Sequence, residues 1–387
     1  MPKLTSKSLY TALTSLALSV TGQTGSAAAP DLSRLSVAQG FTIEVLADDV
    51  PNARQMALSN GGTLYVGTRK AGNVYAIPDA LSKPQPAQVI LESLNMPSGL
   101  AMHQNDLYVG AVSQVIRVPE VDTQIASRSA TGDSKTLRTS LVTDQLPGER
   151  HHGWKYLGFG PDGKLYVPVG APCNICLSED PRFASILTMD INTGATALHA
   201  HGIRNTVGFD WHPETGELWF TDNGRDMLGD DVPAEELNRI TRTGAHYGYP
   251  FVHDGTIKDP EFGNDSDPAA FVAPELSIQA HSAALGIAFH DGNGVPEQYR
   301  NAVFIAEHGS WNRSSKVGYR ISVALETEAG LEYRPFIEGW LEGQDNWGRP
   351  NDVLIAPDGS LLIADDQVGA IYRVRFDSAQ AAAVTLQ

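Results

Sequence analysis

The sequence predicts an all-β protein, a single six-bladed β-propeller made of four-stranded antiparallel sheets. Three observations lead to this prediction. One turn-and-strand unit recurs six times, helical periodicity is nearly absent, and no shift in composition marks a domain boundary. The chain has 387 residues and is 42% hydrophobic, which is enough to bury a sizeable core. A β-sandwich, or a pair of them, is the competing interpretation.

Each copy of the unit starts with a turn rich in Gly, Asp or Asn and continues into an alternating strand of branched and aromatic residues. The six copies are residues 61–66, 105–109, 161–167, 214–220, 301–305 and 357–363. The first and last copies continue into a second strand after a Gly-containing loop. Dividing the chain after residue 29 by six gives about 60 residues per unit, which accommodates a four-stranded propeller blade.

Two segments depart from this pattern. The longest interval between copies contains residues 246–282, which are rich in Gly, Pro and Asp and are interpreted as a loop insertion. Residues 233–237 carry the only helical signal after the N-terminal segment, and we interpret them as a possible helical turn.

The first 29 residues have the features of a secretory signal peptide. Lys3 and Lys7 precede an apolar stretch at residues 9–20, and small residues follow at 25–29. The apolar stretch is shorter than the roughly 20 residues that a membrane-spanning helix needs. The sequence therefore predicts a cleaved leader at 1–29, a propeller domain at 30–387, no membrane insertion, and a periplasmic or secreted location.

Charge and cysteine content narrow the classes of partner. The net charge is −17 and no Lys/Arg-rich run occurs, so the sequence argues against nucleic acid as a ligand. The two cysteines, Cys173 and Cys176, are separated by two residues. In an exported protein they favour a structural disulfide, with free thiols and a redox pair as alternatives.

Five polar segments lie next to the repeated strands and are expected to meet at the mouth of a propeller channel: residues 54–55, 150–155, 202–205, 222–231 and 347–352. His152 is either a general base or a hydrogen-bonded structural residue. Arg204 and Arg349 either form surface ion pairs or hold a ligand with several carboxylates. The acidic segment lacks an EF-hand pattern, although its main-chain carbonyls could still hold calcium.

Several of these segments resemble the glucose/sorbosone dehydrogenase family. The similar runs are residues 54–58, 152–163, 202–208, 211–226 and 307–313, so the resemblance spans nearly all of the chain after residue 29. It implies a soluble six-bladed propeller that uses pyrroloquinoline quinone (PQQ) with calcium to oxidise a small sugar substrate, passing the electrons to an acceptor that the sequence does not identify.

The resemblance also implies roles for individual residues. His152 matches the general base that removes the proton of the sugar hydroxyl, and Gln55 matches a polar residue near the substrate and the quinone. Three residues match positions that contact PQQ: Arg204, Asn205 and Arg349. Gly224 and Arg225 occupy the place where main-chain carbonyls hold the calcium ion.

The sequence also departs from the glucose dehydrogenases of this family. The acidic residue that orients the base is replaced, since Val169 and Gly170 are followed by Ala171. His151 and Lys155 also differ, and these changes resemble the sorbosone-type branch. Two other functions stay open: a metal-dependent lactonase-type hydrolase, which would use Asp222, Asn223 and Asp226, and a non-catalytic binding module.

Overall fold

The computed structural model describes residues 29–131 and 137–379, which form a ring of six β-sheets around a central channel. The first element of the described residues is a 3₁₀-helix at Leu32–Arg34. The first fourteen strands in chain order are β1 (Ser36–Val37), β2 (Phe41–Ala47), β3 (Ala53–Leu58), β4 (Leu64–Thr68), β5 (Val74–Ile77), β6 (Gln88–Leu91), β7 (Gly99–His103), β8 (Asp106–Gly110), β9 (Val115–Val118), β10 (Ser140–Thr143), β11 (Gly158–Phe159), β12 (Leu165–Val169), β13 (Ser185–Met189) and β14 (Thr196–His201).

The second half continues in the same way. Its strands are β15 (Phe209–Trp211), β16 (Leu218–Asp222), β17 (Glu235–Ile240), β18 (Ala245–His246), β19 (Val252–His253), β20 (Ile257–Lys258), β21 (Leu276–Ile278), β22 (Ala284–Phe289), β23 (Val303–Glu307), β24 (Arg320–Thr327), β25 (Gly330–Glu338), β26 (Leu341–Glu342), β27 (Asp345–Asn346), β28 (Pro350–Ile355), β29 (Leu361–Asp365) and β30 (Ala370–Phe376). The helices after the first are α1 (Val121–Thr131) and two 3₁₀-helices, Pro268–Ala270 and Glu297–Tyr299.

Six of the sheets in the described residues are blades, and two further two-stranded sheets, β19–β20 and β26–β27, lie outside them. The blades are numbered in chain order, and the strands of each blade are given from the inner strand at the channel outwards. The blades are β3–β6, β7–β10, β11–β14, β15–β16–β17–β21, β22–β25 and β28–β29–β30–β2. The N-terminal strand β2 thus forms the outer edge of blade 6, where Phe41 pairs with Phe376. Strand β1 similarly extends blade 5 by pairing with β25. The pairing of β2 with β30 joins the first and the last blade and closes the ring.

The recurrent sequence unit corresponds to the second strand of each blade, namely β4, β8, β12, β16, β23 and β29. Both faces of such a strand are buried, each against a different neighbour. Tyr65 of β4 packs towards blade 2, whereas Leu64 and Val66 pack towards blade 6. Six apolar clusters fill the six interfaces between neighbouring blades. The six-bladed propeller predicted from the sequence is therefore confirmed.

The helical content was predicted wrongly at two places in the sequence. Residues 235–240 form strand β17, not part of a helical turn, because Leu237 and Ile240 pack into inter-blade clusters while the strand pairs with β16. Helix α1 was not expected. It buries Val121 and Ile125 of its first two turns against blades 1 and 2, and this short apolar stripe left little periodic signal.

Three expectations concern residues outside the blades. The predicted leader lies outside the described residues, except for residue 29. Within residues 29–131 and 137–379, no helix is long and apolar enough to cross a lipid bilayer. Cys173 and Cys176 form the expected disulfide, in the loop between β12 and β13.

Candidate active site

A cavity of about 340 Å³ opens at the end of the channel where the inner strands begin. It brings together five of the seven predicted site residues: His152, Arg204, Asn205, Gly224 and Arg349. A second space of about 370 Å³, lined mainly by apolar residue types, lies further along the inner strands. Because the polar loops of several blades converge only on the first cavity, that cavity is the candidate active site.

His152 is held in the cavity wall by a main-chain carbonyl. Its imidazole is 9% exposed, and its Nδ1 lies 2.9 Å from the carbonyl oxygen of Ala171. A carbonyl only accepts hydrogen bonds, so Nδ1 carries the proton and Nε2 keeps a free lone pair. Burial lowers the pKa of His152 well below 6.5, and the charges of Arg204 and His151 lower it further. The side chain is therefore neutral and held in one orientation at pH 7.

Ala171 supplies what the sequence left unassigned, the partner that orients His152. The acidic residue that the family resemblance implies after Val169 and Gly170 is absent, and the peptide carbonyl of Ala171 makes the hydrogen bond to His152 instead. A backbone acceptor is invisible in a sequence pattern because every residue type provides one.

Gly170 packs directly against the base. A Cβ at this position would lie 2.5 Å from Cβ of His152 and 3.0 Å from Oδ1 of Asn205. We expect Gly170→Ala to displace the imidazole and lower kcat about 100-fold, as misplacement by about 1 Å can do. The effect is measured as turnover of the protein loaded with the PQQ and Ca²⁺ that the family resemblance implies. In Gly148→Ala the new Cβ meets Cβ of Ser113 at 3.8 Å, so this control should keep wild-type turnover. Unchanged kcat in Gly170→Ala would contradict the placement of the base.

Arg204 and Asn205 are fixed by the strand that follows them. The carboxylate of Asp222, at the end of β16, accepts the main-chain N–H groups of Arg204 at 2.8 Å and of Asn205 at 2.7 Å. The guanidinium of Arg204 donates to Asn174 and forms an ion pair with Asp226 at 3.0 Å. Arg204 is therefore a rigid part of the wall, with most of its donors already satisfied.

Besides Arg204, further positively charged side chains lie in the wall formed by blades 1, 5 and 6. Arg54 and Arg349 both contact the buried carboxylate of Asp366, at 3.0 and 2.8 Å, and Nε2 of His308 lies 3.1 Å from it. Burial opposes ionisation of Asp366, but Arg54 and His308 hold its pKa far below the usual range. Burial lowers the pKa of His308 to about 4, so its ring is neutral at pH 7.

Two arginines of this wall keep unsatisfied donors. The side chain of Arg54 is 4% exposed, yet its Nε and one terminal nitrogen have no partner among the described residues, and the same holds for the buried Nε of Arg69. The guanidinium of Arg69 lies 3.9 Å above the ring of Trp154. Buried cationic donors without acceptors are costly, so this wall is suited to an anionic ligand.

Gly224 and Arg225 lie beside a buried acid. The N–H of Gly224 donates to Oε2 of Glu235 at 2.8 Å, and burial raises the pKa of Glu235 to about 8. The carbonyls of Gly224 and Arg225 accept no hydrogen bond from the described residues. The side chain of Arg225 does not line the cavity, because its guanidinium is paired with the buried Asp259.

Gln55 does not line this cavity but the second space further along the inner strands, and its role near the substrate stays a prediction. Its Oε1 accepts the N–H groups of Leu100 and Leu157, each at 2.8 Å, and its Nε2 donates to the carbonyl of Leu157 at 2.7 Å. These bonds tie three neighbouring blades together. The preceding residue, Arg54, faces the cavity instead, because successive side chains of a strand point in opposite directions.

Sequence reasoning missed several residues of the wall. Arg54 and His308 stood inside recognised motifs without a role, while Arg69, Glu235 and Asp366 stood in none of the five polar segments. Glu235 and Asp366 both lie at or beside strand ends near the cavity, and that position is the signal that could have identified them.

The fold and this cavity together define a class of protein, a six-bladed propeller with a neutral, oriented histidine beside a cationic pocket at the channel mouth. The sequence profile of the Glucose / Sorbosone dehydrogenase family matches residues 103–373. The chain belongs to this family, and the part of the prediction that placed it there is confirmed.

Individual relatives agree with this assignment. An uncharacterised protein of Borreliella burgdorferi is 33% identical over 354 residues, which cover 89% of this chain and 92% of that protein. A pyrroloquinoline quinone-dependent sugar dehydrogenase of Hypocrea jecorina is 26% identical over 305 residues, and the match covers 66% of this chain and 61% of that protein.

Solved structures show the same fold. The holo PQQ domain of pyranose dehydrogenase from Coprinopsis cinerea superposes with a TM-score of 0.71 at 17% identity, covering 88% of this chain and 97% of that domain. The PQQ-bound aldose sugar dehydrogenase of Streptomyces coelicolor gives a TM-score of 0.60 at 19% identity, over 88% of this chain and 99% of that chain. At these identities the likeness concerns the fold.

Proposed function

We propose that this protein is an exported PQQ- and calcium-dependent oxidoreductase that oxidises a sugar or a sugar aldehyde. The observation that carries the proposal is the pairing, in one cavity, of a neutral His152 with buried arginine donors that have no protein acceptor. The first group suits proton abstraction from a hydroxyl, and the second suits a cofactor with several carboxylates.

The arginines fit the proposed cofactor. On one wall, Arg54, Arg69 and Arg349 face a single carboxylate, that of Asp366, so the wall keeps a positive charge. PQQ carries carboxylates that can accept the free donors of these residues in charge-assisted hydrogen bonds. Arg204 and Asn205 would contact the cofactor from the opposite wall.

The surroundings of Gly224 fit a calcium ion. Calcium prefers oxygen ligands, including main-chain carbonyls and carboxylates. The carbonyls of Gly224 and Arg225 would supply the first kind. The carboxylate of Glu235, which already accepts the N–H groups of Gly224 and Ala283, would add negative charge next to Gly224. A cation here would also stabilise the ionised form of Glu235, which burial alone disfavours.

In the proposed reaction, this chain supplies the base that removes a proton and the carbonyl that orients the base. Oxidation of an alcohol carbon to a carbonyl releases one hydride equivalent from carbon and one proton from oxygen. Bound PQQ supplies the two-electron acceptor. Nε2 of His152 accepts the hydroxyl proton, while the Ala171 carbonyl keeps Nδ1 protonated and stabilises the imidazolium that forms.

The low pKa of His152 has a consequence for the pH profile. A base must be neutral to accept a proton, and burial together with Arg204 keeps His152 neutral well below its usual pKa of 6.5. We therefore expect the acidic limb of kcat/KM to fall below pH 6.5. Initial rates of dye reduction by the holoenzyme, recorded from about pH 4 to 9, locate the limb. An acidic limb at or above 6.5 would show that the base is less buried or is another residue.

The structure does not favour the alternative of a metal-dependent hydrolase. Asp222 is occupied by two main-chain N–H groups, Asp226 pairs with Arg204, and Nδ2 of Asn223 donates to the carbonyl of Ala284. Across residues 29–131 and 137–379, no three His, Cys, Asp or Glu side chains are grouped so that they could share one metal ion. A non-catalytic binder would not require the oriented His152.

Reconstitution tests the proposed function. The purified protein, loaded with PQQ and Ca²⁺, is assayed for reduction of an artificial dye across aldoses, polyols and sugar aldehydes. We expect turnover with at least one member of the panel that depends on both PQQ and Ca²⁺. Dye reduction that is equal with and without PQQ would overturn the proposal.

A further inference from the structure

The loop between β12 and β13, residues 170–184, touches both functional parts of the cavity. It is 15 residues long, and the Cys173–Cys176 disulfide closes a four-residue turn near its start. We call residues 173–176 the disulfide turn. No part of the proposed chemistry uses it, so its contacts require a separate explanation.

The first contact is with the base. The carbonyl of Ala171, two residues before the disulfide turn, orients His152, and the N–H of Ala171 donates to the carbonyl of Arg204 at 2.8 Å. One peptide segment therefore connects the residue proposed to accept the proton with a residue proposed to hold the cofactor.

The second contact is made by Asn174, which lies inside the disulfide turn. Its carbonyl accepts Nε of Arg204 and its Oδ1 accepts a terminal nitrogen of the same guanidinium, both at 2.8 Å. Oδ1 also accepts the N–H of Asp226 at 2.8 Å, and Nδ2 donates to the carbonyl of Asp226 at 3.1 Å. Asn174 therefore fixes both members of the Arg204–Asp226 ion pair.

The disulfide turn is itself anchored at one point. The N–H of Cys176 donates to the hydroxyl of Tyr249 at 3.0 Å, and Tyr249 is a buried residue of the long segment between β17 and β21. Closure by the disulfide limits the turn to few conformations, so Asn174 presents its carbonyl and its amide to Arg204 without further ordering.

From these contacts we propose that Asn174 is a positioning residue for Arg204, and that the Cys173–Cys176 disulfide keeps it in place. This inference depends on the proposed function in one respect, namely that the ligand held by Arg204 is PQQ. Opening the disulfide with a dithiol transfers two electrons and two protons to the sulfurs, which become thiols, while the dithiol becomes a disulfide. The turn then loses its closure, and Arg204 loses a fixed partner.

The first test uses the apoprotein and requires no cofactor. Amide hydrogen exchange is compared between the oxidised protein, the protein reduced with dithiothreitol and alkylated, and the Cys173→Ser/Cys176→Ser double variant. We expect faster exchange in residues 170–184 and in residues 222–226, whose Asp226 N–H is bonded to Asn174, with little change in the other blades. Identical exchange at residues 222–226 would overturn the coupling. Faster exchange in every blade would show that the disulfide supports the whole fold instead.

The second test measures the affinity for PQQ in the presence of Ca²⁺ by titration of the apoprotein. We expect Asn174→Ala to weaken binding about 10-fold, as the loss of hydrogen bonds to a charged group can do. Asn174→Asp keeps the acceptor for Arg204 and should recover part of the affinity. Asn192→Ala, on an exposed turn of the same blade, is the matched control.

The two tests separate the inference from the proposed function. If the wild-type protein does not bind PQQ, the proposed function fails, while the exchange experiment still decides whether the disulfide turn holds Asp226 and Arg204. Wild-type affinity in Asn174→Ala, with PQQ bound normally by the wild type, would overturn the positioning role.

Discussion

Replacing His152 with alanine is expected to lower kcat/KM for dye reduction by about 10²- to 10⁴-fold, the usual contribution of a positioned general base. The reason is that Nε2 of His152 is the free acceptor of a neutral ring whose other nitrogen is held by Ala171. Cofactor affinity should stay close to wild type, because the arginines are unchanged. Steady-state kinetics of the reconstituted variant, with PQQ occupancy measured in the same sample, give both values.

The neighbouring histidine provides the control for this experiment. His151 is exposed and does not line the cavity, although its ring centroid is 4.1 Å from that of His152. His151→Ala should therefore keep most of the activity. Retained turnover in His152→Ala, or an equal loss in both variants, would show that the base has been assigned to the wrong residue.

Replacing Arg349 with glutamine is expected to weaken PQQ binding about 10- to 100-fold, the range expected from the loss of a hydrogen bond between charged groups. The side chain of Arg349 is 38% exposed and is tied to Asp366 through Nε, so its terminal nitrogens remain available to the cavity. Equilibrium titration of the apoprotein with PQQ in excess Ca²⁺ measures the change. The kcat of the saturated variant should fall much less than its affinity.

Arg117→Gln is the matched control for the arginine substitution. Arg117 forms a partly exposed ion pair with Asp106 in blade 2, outside the cavity. Its loss should leave PQQ affinity unchanged. If Arg349→Gln also binds PQQ with wild-type affinity, the cationic wall around Asp366 has another purpose.

The fold was predictable because each blade repeats the same physical requirement. The second strand of every blade is buried on both faces, as Leu64, Tyr65 and Val66 show, so the repeated sequence marks it strongly. The strand β17 was missed because Pro233 and two following acids resemble a helix start. There, pairing with β16 outweighs the local preference.

Site residues could be predicted where the site requires a specific type of side chain. They could not be predicted where the backbone geometry determines which group faces the cavity. His152, Arg204 and Arg349 were identified from motifs, and the structure places all three in one cavity. The orienting role of Ala171 could not be predicted, because a main-chain carbonyl has no residue signature. Arg54 lines the candidate cavity and the predicted Gln55 does not, because the motif gives no information on which of two successive strand residues faces that cavity.

Direct titration tests whether the cavity binds PQQ together with calcium, as proposed. Apoprotein is titrated with PQQ in a calorimeter, once with Ca²⁺ and once with a chelator. We predict saturable binding of one PQQ per chain with a dissociation constant in the micromolar range or below, weakened when Ca²⁺ is removed. No saturable binding of PQQ at micromolar concentrations in the presence of Ca²⁺ would contradict the assignment.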